Sequence, residues 1–456
     1  MRAASLSLLL RAILASASAA ARVVISMCRF LLAVVAAGGC LASHERAVHA
    51  HTPTPVAKDV RVTTLANGLR VVVASQPDAP LLAANLSVGV GAVDDPPGKF
   101  GMAHLLEHVT TATVRGSRSR HPRRYVETLE RRGAIGVNAT TAWDATQYFA
   151  QFPADVLALW LELEATRLRH PTFDEFEAER AAAAQEARQS PSWDDLRPLF
   201  RRVFPQSDRL HAPFGVPEQI ERIDRPTAAA FMRDYYRPDR IVITLVGAVD
   251  LDRARRICEA WFGNWRPVAP RVAEAIDPDI GVAAIMPSMG PTTAQALVGV
   301  PRESLSAADA VALDVLATAI GAEGLTALSL AAAARSGLSR ARAMAAFPGL
   351  RGPSTFTLVL SADRPMSVAD NRHMVQETVH ALERAPDAAL AGAILLTEAA
   401  FEERFDDAAA LAATLSQYEM VYGSALRAFD ELDTLATLAP AGLRTAFARM
   451  IRAPLT

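Results

Sequence analysis

Residues 101–113 read GMAHLLEHVTTAT, an apolar helical run interrupted by His104, Glu107 and His108. On a helix the two histidines are one turn apart and share a face, with Glu107 about 60° from the first and about 100° from the second. A chain with ten histidines in 456 residues thus sets two of them, and a carboxylate, on one strip of a segment otherwise suited to burial. Whatever the fold, it must bring partners to that strip or leave three polar side chains unsatisfied against a core.

Two imidazoles at i and i+4 can fill two corners of a tetrahedral zinc site. The glutamate between them is then held near the ion without being forced to bind it, placed to take a proton from water acidified towards a pKa of about 7. The bland alternative is a pair of histidines that line or cap a helix. A zinc site that does chemistry needs a third protein ligand and an open fourth position. The stretch PTFDEFEAERAAAAQEARQ offers candidates. Thr172 with Glu175 fits a capping box, and the alanine run favours helix. Glu179 and Glu186, seven apart, fall within about 20° of each other on one face. Either could ligate while the other hydrogen-bonds the second nitrogen of a ligand histidine. Glu175 and Glu177 share this helix, so a merely solvated face is the competing reading.

At 456 residues, two or three domains are expected. With 51% hydrophobic and 21% charged residues the chain can bury a real core, and its net charge of −2 gives no general attraction to nucleic acid or acidic membranes. The first acidic residue is Glu45, preceded by Arg2, Arg11, Arg22 and Arg29 among small and apolar residues. CRFLLAVVAAGGCLAS has a positive start and an apolar run too short to span a bilayer as a stable anchor, so residues 1–50 read as a secretory signal of an exported, periplasmic protein. Met27 is an alternative start. Cleavage after Ala50 fits the small residues of AVHA. A lipid anchor at Cys40 and a mitochondrial targeting segment are the alternatives. Cleavage after Ala50 leaves Cys258 alone, hence no internal disulfide, and RRICEAWF makes it a buried small hydrophobe.

Downstream, VRVTTLANGLRVVVAS predicts two strands about an Asn-Gly turn. LLAANLSVGVGAV and DATQYFAQFP predict further strands, and RRYVETLERRG a helix ended by Gly133. FMRDYYRPDRIVITLVGAV runs from helix into a buried strand. The Pro-rich FGNWRPVAPRVAEAIDPDIG sets a boundary, giving domains at 57–266 and 281–456 with a linker at 267–280. Beyond it, DAVALDVLATAI predicts a helix and STFTLVLSAD a strand. LRTAFARMIRAPLT echoes TAAAFMRDYYRPDRIVIT, a sign of degenerate duplication in which the second copy stops short of the strand. The basic run Arg115 to Arg124 reads chiefly as a solvated loop.

The stretch TLANGLRVVVA…GVGAVDDPPGKFGMAHLLEHV resembles the opening of the M16 (insulinase/pitrilysin-like) metallopeptidases, and the likeness continues through NATTAWDATQYFAQFP, EFEAERAAAAQEARQ and FMRDYYRPDRIVITLVGAVD. It covers Val60 to about Pro267 closely and the second half in outline. It implies an α+β fold of two related domains, each a mainly antiparallel sheet covered by helices, and hydrolysis of extended or unfolded peptides with one Zn2+ per chain. By motif, His104 and His108 become zinc ligands, Glu107 the general base, Glu186 the third ligand and Glu179 the carboxylate supporting a ligand histidine. Asn138 and Ala139 match an edge strand that binds substrate backbone. Active single-chain members carry an arginine and a tyrosine seven apart in the second domain. Here LAAAARSGLSR puts Ala333 and Arg340 in those places, with Arg335 fitting only after a slip of two. The resemblance therefore implies a processing-peptidase-like, zinc-holding subunit whose homologous partner supplies the Arg/Tyr pair, or a homodimer. A non-catalytic scaffold of the same fold is the rival.

Overall fold

The computed structural model describes residues 59–114, 123–190, 211–266, 292–299, 305–321, 338–348, 354–362 and 367–450. The signal and lipid-anchor segment, the 267–280 linker, and Ala333 and Arg335 lie outside the described residues.

Six strands of the first half form one sheet: β1 (Val60–Thr64), β2 (Arg70–Ser75), β3 (Leu82–Val88), β6 (Ile135–Thr141), β7 (Thr146–Phe152) and β8 (Ile241–Gly247), with the two-residue β4 (Thr113–Val114) and β5 (Arg123–Arg124) forming a separate ribbon. The order is β1-β2-β8-β3-β7-β6. Only the β2–β8 pairing is parallel; every other pairing in it is antiparallel, as the sequence resemblance led us to expect. The Asn-Gly turn forms as predicted, with Gly68 at φ 90° and Thr64 opposite Arg70. Asn67 Nδ2 extends the turn's role by donating to the carbonyls of Phe262 (2.8 Å) and Trp265 (3.1 Å).

The central strands are buried on both faces, and successive residues serve different cores. Val71 and Val73, Leu82, Ala84, Leu86 and Val88, and Ile241, Ile243 and Leu245 face one cluster, built with α1 (Met102–Ala112), α2 (Tyr125–Glu130), α3 (Leu157–Arg169), α4 (Phe176–Gln189), α5 (Pro217–Ile220), α6 (Arg225–Tyr235) and α7 (Leu251–Phe262). Val72, Ala74, Ala83, Val242 and Val246 face a second cluster whose other members come from the second half. That half comprises an antiparallel sheet β10-β11-β9 (Leu338–Pro348, Ser354–Ala362, Thr292–Gly299) and helices α8 (Ala307–Gly321), α9 (Val368–Glu383), α10 (Asp387–Asp406), α11 (Ala408–Tyr422), α12 (Arg427–Thr437) and α13 (Pro440–Met450). Helix α11 lies across β3 and β8 and covers the face of the large sheet that its own helices leave bare. Arg70 joins the halves by donating to the Glu419 carbonyl at 2.6 Å. Among the described residues no helix is long and apolar enough to cross a membrane.

Helix α3 buries a charged pair. Glu164 and Arg167 are each fully enclosed and ion-paired, and the guanidinium stacks 3.7 Å from the Tyr148 ring centroid while donating to Thr110 Oγ1 at 3.2 Å. Tyr125 donates to Glu164 at 2.5 Å. The pair thus braces α1 against α3 from behind. Removing one member strands the other charge in a dry core, at a cost of about 3–5 kcal/mol. Glu164→Gln should lose that much stability in urea unfolding, whereas the double substitution Glu164→Leu with Arg167→Leu should lie closer to the parent protein.

Candidate metal centre

Helix α1 carries the motif and is fixed at its start by Asp95. The buried carboxylate accepts the backbone N–H groups of Gly101 (2.6 Å), Met102 (3.1 Å) and Ala103 (2.9 Å), three of the donors that a helix N-terminus leaves without partners. Gly101 and Gly215 both adopt left-handed backbone, at φ 103° and 83°, and a Cβ on Gly215 would sit 2.3 Å from the Gly101 Cα. Two bare glycines therefore let the 211–216 loop cross the helix start, which places the Phe214 ring edge-on to His104 at 5.1 Å.

His104 and His108 converge as the i, i+4 spacing predicts, with their Nε2 atoms 3.2 Å apart. Helix α4 brings Glu186 to the same point: its Oε2 is 3.6 Å from His104 Nε2 and 3.3 Å from His108 Nε2. Among the described residues this is the group of His, Cys, Asp or Glu donors able to hold a metal ion. A tetrahedral ion with bonds of about 2.0–2.2 Å has ligand–ligand edges of about 3.3–3.6 Å, so the triangle fits one. Glu186 is 48% exposed, which leaves a side open for a further ligand. Glu179, one face-repeat earlier on α4, lies 3.4 Å from His108 Nδ1 and can hold that nitrogen protonated, turning the Nε2 lone pair inward. Glu175 pairs with Arg124 and Glu177 with Arg180 instead.

Glu107 receives a hydrogen bond of 2.5 Å from Thr141 Oγ1 at the end of β6. Burial raises its pKa; the Thr141 hydroxyl, His108 and Arg167 oppose that, and Glu186 adds to it. Burial, and then the neighbouring His108, bring His104 down to about 3. Burial pulls His108 down as well, but the Glu179 hydrogen bond and the carboxylates of Glu107, Glu186 and Glu179 outweigh it and leave the group above 6.5. Asn138 and Ala139 lie on β6, the outermost strand of the sheet, opposite Phe149 and Tyr148 of β7.

The capping box predicted at Thr172 and Glu175 does not form. Helix α4 begins at Phe176 without a side-chain cap, Phe173 takes φ 52°, and Thr172 Oγ1 meets Thr113 Oγ1 at 2.7 Å. The irregular turn removes Thr172 from the helix start and uses it to tie α1's exit to α4. Sequence reasoning also passed over Asp95, Thr141, Phe214 and the Glu164–Arg167 pair; the last was readable as charges at i and i+3 inside an otherwise apolar helix. Cys258 is buried as expected. Arg340 lies in β10, opposite Ser361.

Two family models match the chain: Insulinase (Peptidase family M16) over residues 70–201 and Peptidase M16 inactive domain over residues 222–394. The chain belongs to the M16 peptidase family. A Bacillus subtilis protein named uncharacterized zinc protease YmxG is 28% identical over 207 residues, covering 44% of this chain and 49% of its own length. Zinc protease PqqE of Helicobacter pylori is 27% identical over 222 residues, 47% and 48% of the two chains. The beta subunit of mitochondrial-processing peptidase from Blastocladiella emersonii is 25% identical over 209 residues, 45% and 44%. The chain thus spans about half the length of the curated relatives it matches. Among solved structures, a protease from Helicobacter pylori superposes with a TM-score of 0.71 at 20% identity, over 86% of this chain and 97% of that one. The M16 inactive domain from Pseudomonas fluorescens gives 0.68 at 18% identity, over 86% and 95%. These likenesses concern the fold.

Metal uptake needs neutral imidazoles. Burial brings His104 down to about 3, so near neutral pH proton competition falls on His108, whose pKa its carboxylate neighbours raise. Affinity for a divalent ion should be greatest above that raised value and fall as pH drops through it, read by competition with a chromogenic chelator. Glu179→Gln should retain the ion but weaken its binding about 10- to 100-fold in the same titration.

Proposed function

We propose that this chain is a zinc-dependent endopeptidase subunit that hydrolyses extended or unfolded peptides. The observation that carries the reading is the closing of His104, His108 and Glu186 on one point beside a half-buried, hydroxyl-held Glu107. His104, His108 and Glu186 would hold the ion, with Glu179 orienting His108. Zinc, when bound there, polarises a peptide carbonyl and acidifies water. Glu107 takes the proton from the attacking water and passes it to the leaving amine, a role suited to a carboxylate whose pKa burial raises. The bond from Thr141 fixes which carboxylate oxygen is turned away, leaving the other for the proton. Asn138 and Ala139 offer backbone on the outer edge of β6, where an extended peptide adds as a strand. Peptides must be unfolded to present such an edge.

The domain division at 57–266 and 281–456 and export through residues 1–50 to the periplasm belong to the same reading. So does a partner. The stretch around Gly337-Leu338 lacks the expected Arg/Tyr pair, and the family model matching the second half is that of an inactive domain. A homologous M16 subunit supplies the pair, or a second copy completes the assembly. A non-catalytic scaffold would have no use for a set of donors spaced to hold an ion.

The test is purification of the full chain alone and with a co-expressed homologue, assayed on quenched peptides. The pair should cleave, the chain alone should be about a hundredfold slower or worse, and Glu107→Gln should lose about 10²–10⁴ in kcat while keeping its metal. Full-rate cleavage by the chain alone would remove the partner. Bound metal without cleavage in either preparation would favour the scaffold.

A further inference from the structure

On the face of the large sheet away from the metal centre, a cavity of about 590 Å³ opens between the β6–β7 hairpin and helix α11. Its floor is one row of the sheet: Thr140 of β6 pairs with Gln147 of β7, which pairs with Ser87 of β3, and all three line the cavity. From Val137 to Thr141 of β6 the alternation is regular. Val137 and Ala139 pack against the helix-covered core and Thr141 reaches Glu107, whereas Asn138 and Thr140 are exposed on the opposite face.

A strand added at the β6 edge lies about 4.8 Å outside it and alternates its side chains between the same two faces. One set projects towards the metal. One side chain of the other set continues the row Thr140–Gln147–Ser87 and meets the mouth of the cavity. We infer that this cavity is a side-chain subsite for the bound peptide, reading the one residue opposite Thr140 and favouring a long side chain with a hydrogen-bonding end; the inference rests on strand addition at β6 as proposed above. The shape and chemistry of the lining define the class. Ala413 on the roof leaves depth, Gln147 and Gln417 offer both donors and acceptors, and Asp144 and Asp314 outnumber the cationic Arg404. Glycine leaves the space unfilled, and a carboxylate-ended side chain meets an excess of like charge.

The experiment measures binding, so that it does not depend on turnover. A fluorescein-labelled extended decapeptide is titrated into full-length, zinc-loaded Glu107→Gln protein and followed by anisotropy, with each position replaced in turn by Gly, Gln or Glu. Substitution by Gly, or by Glu, should weaken binding about tenfold relative to Gln at one position and have little effect at the positions on either side of it. Ala413→Phe, which fills the cavity, should abolish the Gln-over-Gly preference at that position alone, and Ala413→Leu should do so in part with an unchanged melting temperature. Binding with no such position, or a preference that survives both fillers, would overturn the subsite while leaving strand addition standing. Failure of any of the peptides to bind would overturn strand addition itself, and the subsite with it.

Discussion

One carboxylate at the head of a helix sets everything that follows. Asp95 gathers three backbone donors at the start of α1, in a place where none of them could reach water. This fixes both the direction and the rotation of the helix. With the rotation fixed, two imidazoles face α4 and the intervening glutamate faces the end of β6. Loss of this anchor would leave the same residues on the same helix but aimed at no common point.

The donor triangle and the base are held by opposite means. His104 and His108 are steered by neighbours on α4 and by an aromatic wall from the 211–216 loop, a surrounding that suppresses charge on the first ring and favours it on the second. Glu107 is held by a hydroxyl from the edge strand, and behind it lies the enclosed guanidinium of Arg167, itself paired with Glu164. Hydroxyl and guanidinium both moderate the rise that burial alone would impose. Because Thr141 belongs to the strand that carries Asn138 and Ala139, Glu107 is tied directly to the outermost strand of the sheet.

How much of this could be read from the sequence depends on the range of each interaction. Strand and helix positions in the first half followed from period-two and period-3.6 patterns, and the pairing of His104 with His108 from a spacing of four, because these are local rules; the spacing of seven left Glu179 and Glu186 equal, and only the family resemblance singled out Glu186. The anchoring Asp95, the hydroxyl of Thr141 and the Gly101–Gly215 crossing are contacts between segments far apart in sequence, and no local pattern encodes them. Strand β10 carries a strand's period only in its alternating arginines and alanines, Arg340 to Ala343, too short a signal to mark eleven residues. At Thr172 the local signal for a capping box was sound, but Phe173 turns the chain before the helix begins, so tertiary contact with Thr113 overrode it.

The covering of the large sheet by α11 bears on how the polypeptide can be divided. Among the described residues, Val72, Ala74, Ala83, Val242 and Val246 cluster, with Val60, against side chains more than sixty residues further along the chain. A fragment ending after α7 would carry every metal donor yet expose a flat greasy surface, inviting self-association. The second half thus serves the first as the cover of an apolar sheet face.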